Sequence, residues 1–332
     1  MVDDRMGDDR TEVLLLGPAK PLIADGLAAA FKLHVMDATP ESARDALLAG
    51  LAPRLRAIAC SAPSAKVPRT LMERLPRLEM ISSFGVGYDN VDIRAAVERH
   101  VTVANTPDVL TEEVADTALG LLLCTVREFP RAERYLRAGK WLTADYPYSK
   151  ATLRDRTVGM VGLGRIGQAI ARRLEAFGVP VVYHSRTARP DVPYRHYPKL
   201  VDMARDVDTL MVITPGGPGT RNLINAEVLA ALGARGIVIN MARGSVIDDA
   251  ALIAALKDHT IYSAGLDVFV NEPNVPAELL AMDNIVLFPH LGSSSVYTRE
   301  KMEQLVVDNL LAWAAGKPPL TPVPETPWPP RR

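Results

Sequence analysis

An α/β fold of two doubly wound parallel-sheet domains is predicted by three observations. Short apolar runs alternate with helical stretches along most of the chain, the pattern of a parallel sheet with helices on both faces. Gly162, Gly164 and Gly167 mark one strand-to-helix turn at G-x-G-x-x-G spacing, and the stretch before it has no such turn of its own and reads as a separate small α/β domain. The length of 332 residues suits two domains.

Bulk properties narrow the class. The chain is 48% hydrophobic and 23% charged, as a soluble globular protein is. Its net charge of −1 gives no basic excess for nucleic acid or an anionic membrane. Cys60 and Cys124 stand far apart in apolar contexts and form neither a metal-ligand spacing nor a disulfide framework, which fits a reducing cytoplasm. Residues 1–10 form an acidic leader, expected to be disordered, with no apolar signal region. The longest apolar run, Ala118 to Cys124, is too short to span a bilayer. A soluble, cytoplasmic protein without a metal is expected.

In order, strands are predicted at Val13–Leu16, Leu33–Met36, Ala57–Cys60 and Met80–Ser83, with helices at Leu22–Phe31, around Ser42–Ala49 and at Arg69–Leu75. The loop Phe84-Gly85-Val86-Gly87-Tyr88-Asp89-Asn90 follows a strand, where open α/β sheets bind ligands. Its glycines suit either a nest of N–H groups for a carboxylate or an ordinary turn, and spacing does not choose. Thr102-Val103 and Asn105-Thr106-Pro107 read as a short strand and the crossing into the second domain. Thr111 fits as N-cap of a buried helix reaching Arg127. Gly139 to Tyr148 is an aromatic loop, read as a surface arm or a dimer contact.

Val158 to Val161 is a buried strand, and the helix behind the glycine turn shows Ile166, Ala169, Ile170 and Leu174 on one face. Gly162 permits the turn, Gly164 a close backbone approach to a pyrophosphate, and Gly167 helix-to-strand packing. The helix N-terminus offers N–H groups and partial positive charge to that anion. In this context the motif reads as a Rossmann-like dinucleotide site formed by Gly162, Leu163, Gly164, Arg165, Ile166 and Gly167. The next strand, Val179–Tyr183, ends in His184-Ser185-Arg186-Thr187. An NAD enzyme usually carries a carboxylate there for the ribose 2′-hydroxyl. Ser185, Arg186 and Thr187 instead suit a 2′-phosphate, so NADP is expected, with NADPH preferred over NADH. A solvated Arg186 leaves that choice open.

Further strands are predicted at Thr209–Ile213, Gly236–Asn240, Ser263–Asp267 and Ile285–Phe288. Asn225 caps a helix over Ala226–Leu232, and Asp248 starts one over Asp249–Lys257. A last helix, Val296–Ala315, returns to the first domain, and a Pro-rich extended tail from Lys317 wraps the surface. The substrate domain is expected over 1–103 with 292–332, and the nucleotide domain over 104–291. Three strand ends of the latter offer a cation, carboxylates and an imidazole: Asn240 to Gly244, Gly265 to Pro273 and Phe288 to Gly292. Reducing a ketone by hydride transfer needs a cation on the carbonyl and an acid for the forming alkoxide. His290 suits the acid, because an imidazole ionises near pH 6.5, and Glu272 favours its protonated form. Singly, Arg243 reads as an ion pair, Glu272 as a turn residue and His290 as a packed ring.

Taken together, Gly85-Val86-Gly87-Tyr88-Asp89, the glycine turn, Met241-Ala242-Arg243-Gly244, Asp267 to Pro273 and Pro289-His290-Leu291-Gly292 make the chain resemble a D-2-hydroxyacid dehydrogenase over nearly its whole length. The resemblance implies two Rossmann-like or flavodoxin-like domains with a cleft between them for substrate, and a homodimer through the nucleotide domains. It implies Arg243 as substrate clamp, His290 as proton donor, Glu272 as its partner, and the Val86 and Gly87 amides on the substrate carboxylate. It also implies that Asp267 bonds the nicotinamide carboxamide, that Thr214 and Pro215 line the cofactor, and that Met241, Ala242, His290 and Gly292 adjoin it. Ser185-Arg186-Thr187 and Trp141 look most like the NADPH-dependent glyoxylate/hydroxypyruvate reductases, in some of which the matching Trp lines the partner's site. Gly216-Gly217-Pro218-Gly219 is richer in glycine than usual for the family. Glu272 argues against the related formate dehydrogenases, which pair the His with Gln. The expected reaction is NADPH-dependent reduction of glyoxylate or hydroxypyruvate to a D-2-hydroxy acid. The alternatives are another 2-oxo acid (phenylpyruvate-type or 2-ketogluconate) or a dinucleotide-sensing protein like the corepressors of this family. The 3-phosphoglycerate enzymes are disfavoured because the chain carries no additional regulatory domain.

Overall fold

Strands of three to five residues, the central ones buried on both faces, build two separate parallel sheets in the computed structural model, which describes residues 10–329. The expected disordered leader lies almost wholly outside the described residues. Two compact units result: residues 1–110 with 295–332, and residues 111–294.

The first unit runs β1 (Glu12–Leu16), α1 (Pro21–Ala30), β2 (Lys32–Val35), α2 (Glu41–Leu51), β3 (Ala57–Cys60), α3 (Arg69–Glu73), β4 (Met80–Ser83), α4 (Ile93–Glu98) and β5 (Thr102–Ala104). Its sheet has the order β2-β1-β3-β4-β5, all parallel. This is the flavodoxin-like doubly wound order. Leu14, Ile58, Ile81 and Val103 fill one face of its core. Its most buried ionic group is Glu12, which meets Lys32, His34 and Arg54. Burial pushes the Glu12 carboxyl up, but the two hydrogen-bonded cations outweigh it and hold it below the ordinary range.

The second unit runs α5 (Thr111–Val126), α6 (Phe129–Arg137), β6 (Val158–Val161), α7 (Arg165–Ala176), β7 (Val181–His184), β8 (Arg195–Tyr197), α8 (Leu200–Asp206), β9 (Thr209–Val212), α9 (Ala226–Leu232), β10 (Ile237–Asn240), α10 (Asp249–Lys257), β11 (Ser263–Leu266), α11 (Ala277–Leu280) and β12 (Ile285–Leu287). The order β12-β11-β10-β9-β6-β7-β8 is again wholly parallel. Counted from β6 it is the Rossmann order with one further strand, reversing between β6 and β9. α5 packs on α7 and across β10 and β11. The final helix, α12 (Val296–Ala314), belongs to the first unit and lies on α1, β3 and β4.

Several expectations need correction. Thr111 is the first residue of α5 rather than its cap. The change of unit falls after Leu110 and before Ser295, not at 103/104 and 291/292. Ala104 still pairs with Ser82 in the first sheet, and Ser295 caps α12 by accepting the Thr298 amide. The tail does more than wrap the surface. Val323 is buried in the first core, its amide donates to Val103 O at 2.8 Å, and Pro322 bridges Ala104 in antiparallel sense. α6 buries no residue at all, so no apolar stripe marks it in the sequence. Among the described residues no helix is long and apolar enough to cross a membrane.

Candidate active site

The second sheet reverses direction between β6 and β9, and at that point the strand ends leave room for a ligand. Gly162 leaves β6 with φ +98° in the left-handed region, and its amide donates to His184 O at 2.9 Å. A Cβ on it would sit 2.9 Å from Ile213 O. A Cβ on Gly167 would stand 2.8 Å from Gly162 O, so helix α7 approaches its strand only because the residue is glycine. A Cβ on Gly164 would meet open space. Leu163 is buried, Ile166 half-buried, and Arg165 exposed at the start of α7. The open turn ahead of a helix start fits a pyrophosphate.

Ser185, Arg186 and Thr187 follow β7, with Arg186 and Thr187 exposed and the Ser185 hydroxyl donating to Thr187 O at 2.7 Å. Groups the sequence did not single out shape this loop. The ring of His196 bonds Ser185 O at 3.0 Å, and that of His184 bonds Tyr197 O at 2.8 Å. Arg189 donates to Leu163 O at 3.0 Å while pairing with Asp191, which joins the loop to the glycine turn. Past β9, Thr214 is half-buried and Pro215 exposed. The glycine-rich stretch behind them closes as a turn, with the Thr220 hydroxyl on Pro215 O at 2.7 Å and its amide on Gly217 O at 3.1 Å.

The next three strands across the sheet, β10, β11 and β12, carry the cation, carboxylates and imidazole that the sequence singled out. After β10, Met241 and Ala242 are buried and Asn240 folds the chain back: its Oδ1 accepts the Ala242 amide at 3.0 Å, and its Nδ2 donates to Arg243 O at 3.1 Å. Arg243 is half-buried, and one arm of its guanidinium donates to Ala242 O at 2.8 Å. A Cβ on Gly244 would collide with the backbone of Phe269 and Val270, so this glycine lets the loop after β11 lie directly on the loop after β10.

Asp267 follows β11 directly and is 2% exposed. Its carboxylate accepts the Leu291 amide at 2.7 Å and the Gly292 amide at 2.9 Å, and its carbonyl accepts the His290 amide at 2.8 Å. Burial pushes the carboxyl up and outweighs those two amides. His290 is held with φ +53°. Its Nδ1 lies 2.7 Å from Glu272 Oε2, and Glu272 Oε1 accepts the Phe269 amide at 2.9 Å. Burial pushes the Glu272 carboxyl up. The bonds from His290 and Phe269, with the charges of His290 and Arg243, together outweigh it and hold it below the ordinary carboxylate range. Arg243, Asp267, Glu272 and His290 are thus one electrostatic group.

Elsewhere, Val86 and Gly87 follow β4 in the first unit, half-buried, and their amides have no acceptor among the described residues. Trp141 is 63% exposed on a short 3-10 turn, Lys140–Leu142. That arm is anchored by Glu128, whose carboxylate accepts the hydroxyls of Tyr146 at 3.1 Å and Tyr262 at 2.7 Å. Burial first, and the Glu128 bond second, push the Tyr262 phenol up to about 12.

Two consequences are measurable. Gly244→Ala should destabilise the second unit by about 1–3 kcal/mol through overpacking against Phe269 and Val270; an unchanged denaturation midpoint would contradict the close approach. Because Glu272 titrates below its unfolded value, its ionised form stabilises the protein above about pH 4.3, and that contribution disappears as pH falls through the native value. The melting temperature of Glu272→Gln should therefore lie below wild type at neutral pH, with the gap closing as pH falls through the lowered native value. A gap independent of pH would refute the pairing.

Residues 119–292 match the family described as D-isomer specific 2-hydroxyacid dehydrogenase, NAD binding domain. The chain is 43% identical to a glyoxylate/hydroxypyruvate reductase of Arabidopsis thaliana, over 94% of this chain and 98% of the relative. It is 40% identical to a 2-ketogluconate reductase of Gluconobacter oxydans, over 95% and 99%. Among solved structures, an NADPH-dependent glyoxylate/hydroxypyruvate reductase of Sinorhizobium meliloti, in complex with NADP and malonate, superposes with a TM-score of 0.88 at 49% identity, covering 97% of this chain and 99% of that one. With two parallel-sheet α/β units and this row of strand-end residues, the chain belongs to the D-isomer specific 2-hydroxyacid dehydrogenases.

Proposed function

We propose that this dehydrogenase uses NADPH to reduce small 2-oxo acids, glyoxylate and hydroxypyruvate first, to D-2-hydroxy acids, as a cytoplasmic homodimer. The observation that carries the reading is the 2.7 Å contact of His290 Nδ1 with a Glu272 carboxylate that also feels the charge of Arg243. When bound, the reduced nicotinamide supplies the hydride. His290 acts as the imidazolium: Nδ1–H donates to Glu272, and Nε2–H gives its proton to the forming alkoxide, leaving a neutral ring still bonded to Glu272. Arg243 binds the substrate carboxylate and draws electron density from the carbonyl. The Val86 and Gly87 amides suit a substrate carboxylate as donors.

For the cofactor, Gly162 to Gly167 and the first amides of α7 suit the pyrophosphate, and Ser185, Arg186 and Thr187 suit the 2′-phosphate. Thr214, Pro215, Met241, Ala242, Asp267 and Gly292 are assigned to its remaining surface. Asp267 still has lone pairs for a carboxamide after accepting two amides. The NADP and malonate in the Sinorhizobium meliloti complex support both the choice of cofactor and a small carboxylate substrate. The dimer reading rests on the exposed apolar arm of Phe129, Leu136, Trp141, Leu142 and Tyr148, with Trp141 assigned to the partner's substrate site. The relative that reduces 2-ketogluconate supports a second, bulkier substrate.

His290→Ala should leave NADPH binding intact, followed by cofactor fluorescence, while lowering kcat by about 10²–10⁴-fold. Turnover at the wild-type rate would remove His290 from the proton step. Arg186→Asp should raise KM for NADPH far more than KM for NADH, and an unmoved NADPH KM would contradict the 2′-phosphate assignment.

A further inference from the structure

The loop Gly85-Val86-Gly87 is locked from behind by two consecutive residues that the mechanism above does not use. Thr106 takes both polar backbone groups of Gly85: its Oγ1 accepts the Gly85 amide at 2.9 Å, and its own amide donates to Gly85 O at 2.9 Å. Asn105 Nδ2 donates to Val86 O at 2.8 Å. A trans peptide is planar, with its C=O and N–H pointing in opposite directions. Tethering Gly85 O therefore aims the Val86 N–H away from Thr106, and tethering Val86 O aims the Gly87 N–H away from Asn105. Both amides face the same way because residues 105 and 106 hold both carbonyls.

Asn105 is itself clasped by the C-terminal segment. Its amide donates to Thr321 O at 3.2 Å, and its carbonyl accepts the Thr321 hydroxyl at 2.6 Å. Asn309 of α12, fully buried, fixes Thr321 in turn: Oδ1 accepts the Thr321 amide at 3.1 Å, and Nδ2 reaches Thr321 Oγ1 at 2.9 Å. Further on, Thr326 Oγ1 accepts the Val103 amide at 2.9 Å. Thr106 is fully buried and Asn105 is 8% exposed, so these bonds compete little with water.

We propose that Asn105, clasped by Thr321 and Asn309 of the C-terminal segment, is a positioning residue that aims the Val86 and Gly87 amides at the substrate carboxylate. The inference rests on the proposed function, because it takes the loop as the carboxylate site. It makes the C-terminal strap a determinant of affinity for 2-oxo acids, acting through Asn105 without touching substrate.

The test uses the full chain. Asn105→Ala should raise KM for hydroxypyruvate about tenfold or more with kcat changed much less, and weaken oxalate binding read by thermal shift to the same degree, while the Kd for NADPH stays put. Thr321→Val, which removes the hydroxyl on Asn105 O, should move KM in the same direction, and Thr321→Ser should restore it. A merely structural role lowers the melting temperature without separating KM from kcat. An unchanged KM in both Asn105→Ala and Thr321→Val, or a Thr321→Ser variant as impaired as Thr321→Val, would overturn the strap alone. Wild-type protein that neither turns over a 2-oxo acid nor binds oxalate would overturn the proposed function and this inference with it.

Discussion

A single buried carboxylate, Asp267, ties the end of β11 to the end of β12, and the geometry of the reactive groups follows from that tie. Burying a charge is costly unless it is hydrogen-bonded, and here two amides meet it, with a third on the same residue's carbonyl. The gain is a fixed backbone at His290, whose positive φ is a conformation few side chains hold unless their surroundings impose it. Glu272 lies five residues beyond Asp267 on the same loop and fixes the ring. One loop thus holds both the main chain and the side chain of His290. Gly244 sets that loop flush against Arg243, so the cation and the imidazole–carboxylate pair share one rigid support.

Both units follow the same physical rule. A parallel sheet has all its strand ends facing one way, so residues distant in sequence gather at one edge. In the second unit the edge from β6 to β12 runs from the glycine turn through Thr214 and Arg243 to Asp267 and His290. In the first unit the loop after β4 presents two amides, held from behind by residues after β5.

Much of this was legible in the sequence where burial dictates pattern. Ala57–Cys60, Met80–Ser83 and Val158–Val161 are strands over the residues their apolar runs marked, because a strand buried on both faces has no polar alternation to blur it. Caps at Asn225 and Asp248 were readable because the bond is local, each side chain accepting the amide three residues on. The pairing of Glu272 with His290 was one of the readings that residue type at two strand ends left open, and the family resemblance chose it. Interactions between distant residues stayed hidden. The Asp267 clamp spans 24 and 25 residues, Asn105 meets Val86 across 19, and Thr321 reaches Asn105 across 216. His196 acts through the Ser185 carbonyl, a backbone group that leaves no pattern of residue types.

The central claim is that Arg243, Glu272 and His290 serve hydride reduction of a 2-oxo acid on one face of its carbonyl. The most direct measurement is the chirality of the product when purified protein, NADPH and hydroxypyruvate are mixed and absorbance at 340 nm is followed. The account predicts loss of absorbance matched mole for mole by D-glycerate. Formation of L-glycerate, or no oxidation of NADPH, would contradict it.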